Sequence, residues 1–148
     1  AQSMGIMLCG TVLGAKRGTL AVLLFITLTA LGLPLLSGGR GGLGIFASPS
    51  VGFIVGFPLA AYVAGLITTK LKMVNIFYSS LLGAIIGGIF VLYIPGIIGM
   101  SIILGKSISE AMVIALIYLP GDLIKAFLCA TLTQTLFKLR PADVLSRS

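Results

Sequence analysis

Between Met73 and Gly105 the chain runs for 33 residues without a charged side chain. Such a run is longer than the ~20 apolar residues that cross a ~30 Å hydrocarbon core. Three further stretches behave alike. Gly18 to Gly39 and Pro49 to Thr69 carry no charge, and Ala111 to Phe137 carries only Asp122 and Lys125. Only 9% of all residues are charged, against roughly 25% in soluble domains. The surface of a soluble domain could not be covered with so few polar groups. Soluble, disordered and disulfide-framework classes are therefore excluded, and an all-α integral membrane protein remains. The expected architecture is one domain over residues 1–148, a bundle of about five transmembrane helices with a Gly-rich extracellular loop.

Within the 33-residue run, Asn75 to Ile94 fits one span. Pro95-Gly96 is expected to break it, leaving Ile97 to Gly105 as a loop or short interfacial helix. Met4 to Leu13 is apolar but too short to cross the core as a straight helix.

The chain has no His and three acids, Glu110, Asp122 and Asp143. This removes His bases, His metal ligands and His-paired nucleophiles, and three separated carboxylates make a poor metal cage. No Gly-x-x-x-x-Gly-Lys-Ser/Thr loop is present, so that mode of ATP binding is excluded. The net charge of +7 does not indicate nucleic acid, because the cations stand at the ends of apolar runs rather than on one polar face. Cys9 and Cys129 lie inside apolar runs and read as small packing residues.

Those cations set the topology. Lys16, Arg17, Lys70, Lys72, Lys138, Arg140 and Arg147 fall on one side of the spans, and Arg40 and Lys106 on the other. The positive-inside rule places the seven-charge side, and the C-terminus, in the cytoplasm of a prokaryotic cell. The loops 37–50 and 96–109 then face outward, and residue 1 lies in the outer half of the membrane. With Ala1 in place of a Met, the expectation is that a native N-terminal helix is missing.

Helices in lipid associate where small residues let backbones approach. Gly52, Gly56, Ala60 and Ala64 recur every four residues, as do Gly10, Gly14 and Gly18; Gly83 and Gly87 form a further pair, and Ala126 and Ala130 another. Such stripes mark either the bundle interior or a partner-binding face.

Asp122 and Lys125 share one helix face. Each charge at mid-span costs about 2.5–3.5 kcal/mol on insertion scales. One reading is an ion pair that satisfies itself; the other is a ligand site with a carboxylate acceptor and an ammonium donor. Pro120-Gly121 immediately upstream frees backbone groups beside the pair, which fits a cavity lining. A second feature is Ser37-Gly38-Gly39-Arg40-Gly41-Gly42, followed by the apolar Leu43-Gly44-Ile45-Phe46. It reads either as a hairpin linker or as a lid whose bare backbone approaches a small molecule. Together these features predict a polar site in the outer half of the bundle for a small, mostly apolar ligand with amide-like and anionic ends.

The run from Gly32 to Leu66, which carries Gly38-Gly39-Arg40-Gly41-Gly42 and Pro49-Ser50-Val51-Gly52-Phe53, resembles the BioY family over residues 2–139. So do Tyr118 to Leu128, with Pro120-Gly121-Asp122 and Lys125, and the opening Met4 to Leu20. BioY proteins are the biotin-specific S components of energy-coupling factor transporters. The resemblance implies six transmembrane helices, of which the first is absent here. It implies biotin as transported ligand, no enzymatic chemistry and no cofactor. The partners it implies are a transmembrane coupling subunit and two ATP-binding-cassette ATPases within the lipid bilayer. It carries Asp122 and Lys125 over as biotin ligands, with Gly38, Gly39, Arg40, Gly41 and Gly42 closing the site and Gln2 as a further polar contact. Phe46, Phe53 and Tyr118 are candidates for the apolar wall. The competing readings are an S component for another small vitamin, and a small structural or channel-type membrane protein whose Asp-Lys pair is internal.

Overall fold

The computed structural model describes residues 2–32, 42, 51–71, 75–140 and 144, with residues 2–4 in backbone only. Every regular element among them is helical: α1 Gln2–Leu13, α2 Ala15–Ala30, α3 Val51–Lys70, α4 Ile76–Ile85, a π-helical segment Ile86–Val91, α5 Leu92–Leu104, α6 Ile108–Leu116 and α7 Leu119–Leu139.

Local chemistry sets many of the boundaries. Gly14, at φ 87°, makes the corner between α1 and α2 in a backbone region that side chains disfavour. The Asn75 side chain caps α4 by accepting from the Phe77 N–H at 2.9 Å. Gly105 ends α5 in the left-handed conformation, and the Ser107 hydroxyl caps α6.

Among the described residues, two helices are long and apolar enough to cross a membrane, Val51–Lys70 and Ile76–Leu104, and a third joins them if α6 and α7 count as one broken span. The second corrects the expected break at Pro95-Gly96. Pro95 lies inside α5, and Ile97 to Leu104 is the continuation of the helix. The widened π turn immediately upstream accommodates the carbonyls that Pro95 can neither bond nor clear. The 29 residues extend about 43 Å at helical rise, beyond one hydrocarbon thickness. The break falls instead in the last run, where α6 and α7 meet at 52°. Pro120 stands in the first turn of α7, where its missing N–H leaves nothing unpaired.

The packing is inside-out relative to a soluble protein. Large apolar side chains such as Leu24, Phe90, Ile94, Ile102 and Ile124 are exposed, while Thr11, Thr29, Thr68, Ser79 and Thr133 are buried among alanines. In lipid this order is natural, because small and hydroxylated residues are what bring helices together. The hydroxyls are held at home: Thr68 donates to the Ala64 carbonyl and Thr29 to that of Phe25, each at 2.8 Å. Between α1 and α7, the Thr11 and Thr133 hydroxyls share a hydrogen bond of 3.0 Å, with the buried Cys129 sulfur 3.5 Å from Thr11.

Helix α3 is the axis of the bundle, and the small-residue stripe on it faces inward. A Cβ at Gly87 would stand 2.6 Å from the Ala60 carbonyl, and one at Gly83 the same distance from that of Ala64. A Cβ at Gly52 would press on the Pro95 carbonyl. The stripe is therefore bundle interior, resolving the choice left open above. Gly10, Gly14 and Gly18 do not form one stripe: Gly10 packs on α3, Gly14 is the corner, and Gly18 folds α2 back against Cys9.

These contacts orient the charges. The Gly14 corner abuts Gly65, five residues before Lys70, and Thr133, five residues before Lys138, meets Thr11 just before that corner. Lys16, Arg17, Lys70, Lys138 and Arg140 thus gather at one end of the bundle, as the charge pattern predicted. The α5–α6 turn with Lys106 lies at the other. Lys72 and Arg147 lie outside the described residues.

Candidate functional site

Asp122 occupies the first turn of α7, near the end of the bundle opposite the basic cluster. It is only 7% exposed. A carboxylate there is favoured by the positive end of the helix dipole. One turn on, the Lys125 ammonium stands 3.7 Å from Asp122 Oδ1, on a side chain that keeps 35% of its surface accessible. The i, i+3 spacing has the consequence read from the sequence: the two charges share a face and lower each other's burial penalty. Lys125 is the more accessible member of the pair.

The break before α7 falls just upstream of the Pro120-Gly121 pair where it was expected, and both residues of that pair lie inside α7. The chain turns through Ile117 and Tyr118, whose N–H groups fall back on the carbonyls of Ile114 and Ala115 at 3.3 and 3.0 Å. The Tyr118 side chain is mostly exposed. Its backbone carbonyl accepts from the Asp122 N–H at 3.0 Å, so the bend and the acid are tied together.

Tyr93 was not singled out in the sequence, yet its hydroxyl donates to Asp122 Oδ2 from α5. The signal was available: a tyrosine hydroxyl within an apolar span needs a partner, and Asp122 is the acid of the neighbouring span. Phe53 of α3 stands against Tyr93 with ring centroids 6.0 Å apart and planes at 86°. Phe53 in turn fills the space over Gly96, where a Cβ would stand 2.5 Å from the ring. Three helices therefore converge, with an aromatic wall from α3 and α5 beside a charged pair from α7. Phe53 is the wall candidate that the structure brings to this group.

The remaining sequence candidates divide as follows. Gly38, Gly39, Arg40, Gly41 and Phe46 lie outside the described residues. Gly42 has φ 84° and donates its N–H to the Thr29 carbonyl at 2.6 Å, which ties it to the end of α2. Gln2 begins α1.

A family model described as the BioY family matches residues 1–142. The biotin transporter BioY of Rhodobacter capsulatus is 42% identical over 155 aligned positions, covering 99% of this chain and 82% of that protein. Its namesake in Rhizobium etli is 48% identical over 139 positions, covering 89% and 73% respectively. Among solved structures, the S-component for biotin from an ECF-type ABC transporter superposes with a TM-score of 0.87 at 32% identity. That match covers 93% of this chain and 74% of the other. By sequence and by fold, this chain belongs to the BioY family.

Proposed function

We propose that this chain is the biotin-binding S component of an energy-coupling factor transporter, and that Asp122 and Lys125 hold the vitamin. The observation that carries the reading is the sheltered carboxylate–ammonium pair on the first turn of a broken helix, walled by aromatics. Homologues of this chain are named biotin transporters, and a matching structure is a biotin S-component. No bond is made or broken in the ligand; the work is capture and release.

The chemistry of the pair suits biotin. Asp122 accepts a ureido N–H, and Lys125 donates to the ureido carbonyl or, with Arg40, to the valerate carboxylate. Phe53 offers an apolar face to the sulfur-containing ring. Gly38, Gly39, Gly41 and Gly42 form a loop that shuts over the ligand, with Gln2 an additional polar contact. Closure requires contacts that the ligand makes only when the loop is shut.

Charge placement orients the molecule. The end with Lys16, Arg17, Lys70, Lys138 and Arg140 faces the cytoplasm by the positive-inside rule, with the C-terminus on that side of the prokaryotic cytoplasmic membrane. Asp122 then sits toward the outer face, about 24 Å of helix from Lys138. Biotin enters from outside, and a transmembrane coupling subunit with two ATP-binding-cassette ATPases drives its delivery inward.

The test is a melting curve of the purified full-length protein in detergent with and without biotin. Biotin at 100 times its Kd raises the stability of a one-site binder by about 2.7 kcal/mol. A rise with biotin, absent with thiamine or riboflavin, supports the reading. No rise with biotin, or an equal rise with all three vitamins, refutes it.

A further inference from the structure

We propose that Tyr93 is a positioning residue for the biotin site, setting the aim of Asp122 through a relay that starts at Phe53. The inference rests on Asp122 as a ligand contact. Asp122 follows a 52° break in the first turn of α7, with its N–H on the Tyr118 carbonyl. Tyr93 adds a side-chain anchor from another helix. Its hydroxyl donates to Oδ2, while Oδ1 leans toward Lys125 at a distance longer than a hydrogen bond. The plane of the carboxylate is thereby set before a ligand arrives, which lowers the ordering cost of binding.

Tyr93 is itself held. It is 9% exposed, its ring stands perpendicular to Phe53, and Phe53 lies over the bare backbone of Gly96 in the next turn of α5. The π segment ends at Val91, two residues before Tyr93. Such single-turn widenings frequently lie at functional sites. Phe53 and Gly96 therefore act on Asp122 without touching it, and the hydroxyl of Tyr93 is the one polar link in the relay.

The test is a double-mutant cycle in biotin titrations of the full-length protein. Tyr93→Phe keeps the ring and its contact with Phe53 and removes only the donor, so affinity falls about tenfold, the effect of one lost hydrogen bond to a charged group. In an Asp122→Asn background the same change alters affinity less than twofold, because the group through which Tyr93 acts has already been altered. Equal losses in both backgrounds would show that Tyr93 contacts the ligand independently and overturn the positioning role. So would an unchanged affinity for Tyr93→Phe alongside a weakened Asp122→Asn. Unchanged affinity for Asp122→Asn itself sinks the underlying site instead. Should Tyr93→Phe fail to fold, Phe53→Leu keeps the hydroxyl but loosens it; because Phe53 also faces the ligand, a loss that shrinks in the Asp122→Asn background supports the relay, and a loss of the same size in both backgrounds contradicts it.

Discussion

The chain contains the same four-residue pattern twice, Tyr93-Ile94-Pro95-Gly96 and Tyr118-Leu119-Pro120-Gly121. The first lies inside a helix that continues to Leu104; the second marks a break of 52°. Local propensity differs between the two only by Ile94 against Leu119, a fraction of a kcal/mol, too little to decide the outcome. Neighbours decide it. Pro95 is pressed against Gly52 and Gly56 of α3, and Gly96 against Phe53. Around Gly121, nothing among the described residues comes within 4 Å of where a Cβ would stand. The half-buried proline, Pro95, stays helical because the upstream π turn absorbs it and α3 braces it. The exposed one starts a new helix, where proline fits without loss. The tyrosines follow suit, Tyr93 buried on Asp122 and Tyr118 mostly exposed. The site is assembled from one arm of each pattern: the tyrosine of the first and the acid following the second.

The difference can be attacked from both sides. The largest effect is expected from Gly52→Ala, whose new methyl meets the Pro95 carbonyl rather than a movable side chain. It should destabilise by about 2–3 kcal/mol, read from melting in detergent, because overpacking a tight interface moves backbone. Gly96→Ala meets the Phe53 ring first, so a loss of about 1–2 kcal/mol is expected, with weaker biotin binding because that ring braces Tyr93. Pro120→Ala should change stability by about 0.5 kcal/mol, since a good helix start is lost but no hydrogen bond. Gly121→Ala should be neutral or stabilise by up to about 1 kcal/mol through helix propensity alone. If Gly121→Ala proved as damaging as Gly52→Ala, the claim that packing separates the two patterns would fail.

Much of this organisation was legible in the residues. The placement of Lys16, Arg17, Lys70, Lys138 and Arg140 at the ends of apolar runs encodes their gathering at one end of the bundle, because charge and hydrocarbon exclude one another. The stripe from Gly52 to Ala64 encodes the close contact with α4 and α5, and the spacing of Asp122 and Lys125 encodes their pairing. What could not be read was decided between distant segments. That Pro95 would remain helical depends on glycines 43 and 39 residues earlier in the chain. That Tyr93 would reach Asp122, on another helix 29 residues later, is a tertiary contact. Neither leaves a periodic mark in the sequence.

The central claim is that Asp122 persists within the membrane because biotin completes its bonding. The most direct measurement is a biotin titration of full-length Asp122→Asn beside the unaltered protein, with melting followed in parallel. The account predicts a Kd at least about tenfold higher, since one hydrogen bond to a charged group is worth about 1.5–3 kcal/mol, with a ligand-free melting point within a few degrees of the parent. An unchanged Kd in a folded variant would contradict it.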